Sequence, residues 1–312
     1  MVKMNCTHGT NQNINTNLFT QDCSKCGIII SFADDSSIIL ETNKHNYDET
    51  SRKLDTILEN LELFLKENNL KLNVDKTQLL RTTSRQQLAK NGNEKVILTA
   101  TDKEDNRIVP KNSVKIIGVV FSNNLTWANH LYTGKESIVN KCKQKLAALK
   151  FTASKCSVKM KKRLVDACIL SRLTYGIQLW GIMGKKSALK KVQTVQNLSA
   201  AWILNKPIYT KSEDMIKELN WLSINQLSFY HSVLSIWKIE RMGEPKRNYI
   251  SILRGNERNG RIELTDRIWS IRAQEIYRRM DSSITGVGKV SQFKKRLKVW
   301  IRSNIPHEEP PD

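Results

Sequence analysis

The apolar residues of this 312-residue chain change their spacing near Leu125, and this change limits the folds that the chain can adopt. Before Leu125, short apolar runs are separated by turn-forming residues, which is the pattern of β-strands. Residues 46–68 are the exception, because their apolar residues have helical spacing. Beyond Leu125, apolar residues recur every three or four positions. The sequence therefore predicts an α+β fold, with a small antiparallel sheet followed by helices.

The spacing also predicts where individual elements lie. Helix 46–68 presents one apolar face, made of Leu54, Ile57, Leu58, Leu61, Phe64 and Leu65. Further strands are predicted over residues 95–100 and 113–121. Helices are predicted over about 135–152, 157–180, 185–204, 211–242 (one or two) and 266–302. Residues 1–26 have no clear periodicity and are interpreted as a loose leader, and residues 243–265 as an exposed linker.

Residues 27–40 predict a β-hairpin with two carboxylates at its tip. Apolar runs at 27–32 and 37–40 flank an acidic turn that contains Asp34 and Asp35. Carboxylate oxygens are the ligands that Mg²⁺ prefers, and two-metal phosphoryl transfer uses them to clamp the reacting oxygens. Adjacent aspartates also occur in ordinary turns, so this pair alone leaves both interpretations open.

The chain is strongly basic, and the excess is local. It has 51 Lys and Arg against 30 Asp and Glu, a net charge of +21. Residues 111–205 hold 17 basic and 2 acidic residues. Such a block repels itself unless an anion lies against it, and the commonest such anion is a phosphate backbone. A basic, soluble surface without a bound partner is the alternative.

The sequence also bears on whether the chain is a membrane, secreted, disulfide-bonded or zinc-binding protein. No apolar run reaches the length of about 18 residues that a membrane span needs. Residues 1–6 lack the apolar core of a secretory signal, so we expect an intracellular protein that is not secreted. The six cysteines lack the spacing of a disulfide framework. Cys6, His8, Cys23 and Cys26 could together form a zinc site, with free thiols as the alternative.

Taken in order, several motifs resemble the reverse transcriptases of non-LTR (LINE-type) retrotransposons in the jockey-like or CR1-like style. Phe32-Ala33-Asp34-Asp35 is similar to palm motif C, Leu72-Asn73-Val74-Asp75-Lys76-Thr77 to motif D, and Gly118-Val119-Val120-Phe121 to motif E. The basic helices with Tyr175-Gly176 and Trp180-Gly181 resemble the thumb. Residues 219–224 and 292–300 resemble the region that follows the thumb. The resemblance covers about residues 23–302.

This resemblance implies an incomplete antiparallel palm over 27–122, a basic helical thumb over 123–205 and a helical extension over 206–312. Asp34 and Asp35 would be catalytic ligands of Mg²⁺, and Lys76 would lie near the incoming nucleotide. Ser122, Asn123 and Leu125 would lie near the primer strand. The thumb residues expected along the duplex are Lys141, Lys145, Lys159, Lys161, Lys162 and Arg163. The implied partners are an RNA template and an RNA–DNA duplex, and a deoxynucleoside triphosphate only where the palm is complete.

The family's palm also needs an aspartate from motif A, and this chain departs from that pattern. Only 33 residues precede Asp34, and the acid among them, Asp22, does not resemble motif A. Without the motif A aspartate the second metal site is incomplete. The fingers and motif B are absent as well. We therefore expect a truncated RNA-directed DNA polymerase that is not active alone. The alternatives are a non-catalytic nucleic-acid-binding module and an inactive retroelement relic.

Overall fold

The structure is a computed structural model, and its chain divides into two compact units. We call residues 1–129 the strand unit and residues 130–312 the helical unit. The structure describes residues 2–7, 28–32, 35–40, 47–67, 69, 71–73, 76–82, 100–101, 107–181, 186–242 and 269–307. In these residues a small antiparallel sheet is combined with many helices, which confirms the α+β class.

The strand unit is built on a five-stranded sheet in which every pair is antiparallel. Its strands are β1 (Val2–Thr7), β2 (Ile28–Phe32), β3 (Asp35–Ile39), β4 (Lys71–Leu72) and β5 (Gln78–Leu79). Strand β1 is central, with β3 on one edge and both β4 and β5 on the other. The prediction of a loose leader is therefore wrong for residues 2–7. These residues alternate apolar and polar side chains, and their backbone is paired on both edges.

Helix α1 (Tyr47–Glu67) covers this sheet and confirms the helix predicted over 46–68. Its predicted apolar face is buried, with Phe64 partly buried. The core that it forms with the strands comprises Ile38, Leu54, Ile57, Leu58, Leu61, Leu65, Leu72, Leu79 and Ile108. This core holds the β2–β3 hairpin against the helix through Ile38.

Two smaller strand pairs complete the strand unit. Strand β6 (Ala100–Thr101) pairs with β7 (Arg107–Ile108), and β8 (Ser113–Ile116) pairs with β9 (Val119–Ser122). The single strand predicted over 113–121 is wrong, because the chain reverses at Ile117-Gly118, whose φ angles are 43° and 80°. Positive φ at both turn residues gives a twist that matches the flanking strands, so a two-residue turn closes the hairpin here.

The helical unit contains helices in the segments predicted beyond Leu125, but segments 157–180 and 266–302 are each divided into several shorter helices. Its helices are α2 (Ala128–Leu131, at the junction), α3 (Ile138–Thr152), α4 (Val158–Val165), α5 (Ser171–Thr174), α6 (Ile177–Trp180), α7 (Lys186–Leu204), α8 (Ser212–Glu218), α9 (Ile224–Met242), α10 (Trp269–Arg278), α11 (Ser282–Thr285) and α12 (Val290–Asn304). The continuous helix predicted over 157–180 is wrong. A π-helical turn, Asp166–Leu170, follows α4, and Gly176 takes the left-handed conformation with φ 64°. The linker predicted over 243–265 lies outside the described residues.

Aromatic side chains fill the core of the helical unit. Trp237 of α9 stacks on Phe293 of α12, with ring centroids 4.7 Å apart and both side chains buried. Trp180 is fully buried, and its Nε1 donates to the carbonyl of Tyr175 at 3.1 Å. The buried ring of His130 lies edge-on to Trp180 at 6.5 Å, as expected for a packed histidine. In the described part of the chain, no helix is both long and apolar enough to cross a membrane.

Candidate nucleic-acid interface

The basic side chains predicted to lie along a duplex are carried by two neighbouring helices of the helical unit. Ser137 directly precedes helix α3, and its side chain accepts from the backbone N–H of Asn140. Ser157 directly precedes helix α4, and its side chain accepts from the backbone N–H of Met160. Both serines are N-caps, which satisfy one of the unpaired amides at each helix start. The caps therefore fix where the basic turns of both helices begin.

Helix α3 carries lysines on both flanks of its buried stripe. That stripe consists of Val139, Cys142 and Leu146. Helical spacing puts Lys141 and Lys145 on one flank and Lys143 and Lys150 on the other. The exposed basic side chains of α3, α4 and the turn between them are Lys143, Lys145, Lys150, Lys155, Lys159 and Arg163.

The two acidic residues of the basic block do not cancel its charge. Glu136 pairs with Lys141, and Asp166 pairs with Lys162 at 3.0 Å. The remaining basic side chains of residues 111–205 have no further carboxylate within that segment. The helical unit therefore presents a local positive potential that would attract a polyanion.

Lys161 does not belong to this exposed surface, so the expectation that its side chain faces a duplex together with the other five basic residues is wrong. Its side chain is only 4% exposed, and its ammonium donates to Asn205 Oδ1 at 3.1 Å. The same Nζ lies 5.3 Å from the centre of the Trp202 ring. Lys161 lies four residues before the buried Val165, on the same helical face, which explains the burial. Its stem therefore packs in the core while its charge is held by polar and aromatic partners.

Sequence reasoning missed an exposed aromatic ring beside these lysines. Phe151, in the last turn of α3, is 87% exposed and directly follows Lys150. Helical spacing puts Phe151 on the opposite side of α3 from the buried Cys142 and Leu146, and this signal could have predicted an exposed ring. An exposed ring next to cations can stack on a nucleic-acid base.

The predicted residues of motifs D and E lie in the strand unit. Lys76 is exposed, and its backbone N–H donates to the carbonyl and to the Oδ1 of Asn73 at 3.2 and 3.1 Å. Ser122 is only 2% exposed, and its hydroxyl accepts from Asn129 Nδ2 at 3.2 Å. Asn123 donates through its backbone and side-chain N–H groups to Asn112 at 2.9 and 3.1 Å.

The predicted metal ligands lie mostly outside the described residues. The predicted β-hairpin is confirmed by the pairing of β2 with β3, but Phe32 pairs with Asp35, so Asp35 begins strand β3 and is not in the turn where both carboxylates were predicted. Asp34 lies outside the described residues, and so does the side chain of Asp35. In the described part of the chain, no three His, Cys, Asp or Glu side chains could together hold a metal ion. Binding of Mg²⁺ by this aspartate pair stays a prediction.

The predicted zinc site also stays a prediction. The backbone of Cys6 pairs with Leu72 in the sheet, but its side chain is outside the described residues. His8, Cys23 and Cys26 are outside them as well.

Comparison with known proteins agrees with the motifs. The chain is 25% identical over 213 residues to the "Probable RNA-directed DNA polymerase from transposon BS" of Drosophila melanogaster. The chain is related to transposon reverse transcriptases. The match covers 66% of this chain and 21% of that protein, so this reverse transcriptase relative spans about a fifth of the length of the protein that it matches. No protein-family model matches the chain, and no solved structure matches it.

Proposed function

We propose that the helical unit is a thumb that binds an RNA–DNA duplex through its phosphate backbone. The observation that carries this proposal is the concentration of exposed basic side chains on α3 and α4, where both acids of the segment are already paired. Basic side chains that contact phosphates release counterions, so binding weakens with salt and does not depend on sequence. The relation to a transposon RNA-directed DNA polymerase supports an RNA template as the natural partner.

Fluorescence anisotropy of a labelled RNA–DNA primer–template over a salt series tests this function. The triple variant Lys145→Gln, Lys159→Gln, Arg163→Gln should lower the slope of log K against log salt by about 2–3, since each lost phosphate contact removes about 0.7–0.9. A matched control, Arg52→Gln, Lys53→Gln, Lys66→Gln, removes the same charge from exposed positions of the strand unit.

The control should keep the wild-type slope. Equal losses in both triple variants would mean that total charge, and not a site on the helical unit, governs binding. Absence of duplex binding by the wild-type chain at low salt would contradict the proposal and favour the inactive relic.

We further infer that Asp34 and Asp35 contribute to nucleotide addition where the polymerase palm is complete. The backbone pairing of Phe32 with Asp35 supports this inference, because it puts Asp35, the residue after Asp34, at the end of a hairpin that is held in a sheet. Their oxygens suit Mg²⁺, which would stabilise the attacking and leaving oxygens of phosphoryl transfer. Lys76 would then lie near the incoming nucleotide, and Ser122 and Asn123 near the primer.

Primer extension with and without Mg²⁺ tests this second function. Incorporation that is lost in Asp34→Asn but kept in Glu59→Gln, an exposed acid on α1, would support the catalytic assignment. Incorporation that survives Asp34→Asn would contradict it. If the 312-residue chain incorporates nothing, duplex binding is the activity that this chain has by itself.

A further inference from the structure

Two basic side chains of α12 reach back to the connection between α8 and α9. Lys298 Nζ donates to the carbonyl of Asn220 at 2.6 Å. Arg302 Nη2 donates to Asn220 Oδ1 and to the carbonyl of Trp221 at 3.3 Å. These acceptors are uncharged, so the contacts orient the two cations without neutralising them.

Helix α4 and the π turn that follows it bring a third cation, Lys162, and one carboxylate, Asp166, to the same place. Asp166 Oδ1 accepts from Trp221 Nε1 at 2.9 Å, and its Oδ2 pairs with Lys162. Lys162 Nζ also lies 5.8 Å from the centre of the Trp221 ring. Burial lowers the pKa of Lys298, with Arg302 and Lys162 adding to the effect and Asp166 opposing it. The four charged groups therefore share one electrostatic environment, in which three cations face one carboxylate.

This cluster is continuous with the basic surface of α4. Lys162 is adjacent to Arg163 and lies one helical turn from Lys159, both exposed. The cluster contains one guanidinium, two ammonium groups and one carboxylate, so its net charge is +2. Such a group of cations is a suitable environment for a phosphate group. The side chains of Lys162 and Asp166 are 35% and 39% exposed, so an anion can approach them from solvent.

We propose that Lys162, Lys298 and Arg302 bind one phosphate of the nucleic-acid backbone, so that α12 extends the duplex-binding surface of the helical unit. Asp166 holds Lys162 and Trp221 in place, and its negative charge repels the phosphate that the three cations bind. This proposal rests on the proposed function of duplex binding. It assigns a ligand to α12, which contains the post-thumb stretch 292–300 and for which the family resemblance gives no role.

The variant Asp166→Asn tests the proposal by a gain of affinity. The asparagine carbonyl can still accept from Trp221 Nε1, while the charge that repels a phosphate is gone. Removing one negative charge several ångströms from a phosphate near a protein surface should tighten duplex binding by about three- to tenfold. The control Glu275→Gln makes the same change in total charge at an exposed position of α10. An equal gain in both variants, or no gain in Asp166→Asn, would overturn the proposal.

The double variant Lys298→Gln, Arg302→Gln tests the same site by loss. If both residues contact phosphate, the salt slope should fall by about 1–2. A variant that melts cooperatively and keeps the wild-type slope would mean that the two cations only brace the Asn220 connection. If the double variant does not fold, the Asp166→Asn result decides.

Inorganic phosphate distinguishes a backbone phosphate from a free one. At constant ionic strength, it should compete weakly with duplex in the wild-type chain. If phosphate raises the melting temperature of the wild-type chain but not of the double variant, while their duplex slopes agree, the site binds free phosphate and the proposal fails. A wild-type chain without salt-dependent duplex binding would instead refute the proposed function itself.

Discussion

Replacing Lys161 by methionine should destabilise the helical unit without changing the salt dependence of duplex binding. Lys161 lies on α4 between two exposed basic residues, Lys159 and Arg163, yet it is 4% exposed. Its ammonium is held by Asn205 Oδ1 at 3.1 Å and by the Trp202 ring at 5.3 Å. Methionine preserves the apolar stem and removes both polar contacts.

The size of the effect follows from those two contacts. A hydrogen bond from a charged donor contributes about 1.5–3 kcal/mol net, a figure that already includes the cost of dehydrating the group. The interaction with the Trp202 ring adds about 1–2 kcal/mol where it is partly desolvated. Asn205 is exposed, so water replaces the lost donor there. The two contributions together give an expected loss of about 2–5 kcal/mol in the free energy of unfolding, or roughly 2–4 °C in Tm for each kcal/mol.

The neighbour Lys159 provides the matched control, because the same substitution there alters only an exposed side chain. Lys159→Met should change the free energy of unfolding by no more than about 0.5 kcal/mol. It should lower the salt slope by about 0.7–0.9. Urea unfolding and anisotropy on both variants measure the two effects. A Lys161→Met chain of wild-type stability with a reduced slope would refute the reasoning, since it would mean that Lys161 contacts the duplex.

Three further predictions concern the packing of both units. Burial raises the pKa of Cys142 to about 11, so this thiol should react with a thiol reagent at pH 8 only after unfolding; rapid labelling of the native chain at this position would contradict the packing. Burial, reinforced by Lys294 and Lys238, lowers the pKa of His231. The folded state therefore protonates His231 less readily than the unfolded state does, so the free energy of unfolding should fall as pH drops below 6.5. The fall should be steeper in the wild-type chain than in His231→Gln, and parallel curves of unfolding free energy against pH would contradict this. Leu61 is 4% exposed beneath the sheet, so Leu61→Ala leaves a cavity and should lower the free energy of unfolding, measured in urea, by about 2–5 kcal/mol. A loss below about 1 kcal/mol would mean that α1 does not cover the sheet.

Long periodic segments could be predicted from the sequence, because a helix of many turns repeats its apolar signal. The bounds of α1 differ from the predicted 46–68 by one residue at each end, and α7 differs from 185–204 only at its start. Short strands are harder, since their stability comes from partners distant in the chain. Strand β1 alternates apolar and polar residues, but only pairing with residues 35–38 on one edge and with 71–72 and 78–79 on the other makes it central.

Two local features escaped prediction for specific physical reasons. The β8–β9 turn uses Ile117 before Gly118, and a β-branched residue at positive φ is an unfavourable choice that sequence patterns do not suggest. The sequence predicted which basic residues α3 and α4 carry, but not which of their side chains face solvent. Charge assigned Lys161 to the exposed face, whereas its spacing from Val165 assigned it to the buried one, and the packing followed the spacing. Neither Lys298 nor Arg302 was predicted to act together with Lys162 of α4, because both residues are far from that helix in sequence.

Acetylation of lysines with and without an RNA–DNA duplex, read by mass spectrometry, tests the central claim most directly. The exposed Lys145 and Lys159 should react in the unbound chain and be protected by duplex. Lys161 should be slow in both states because it is buried, and the exposed Lys66 of the strand unit should react equally in both. Protection of Lys66 with no protection of Lys145 and Lys159 would contradict a duplex-binding surface on α3 and α4.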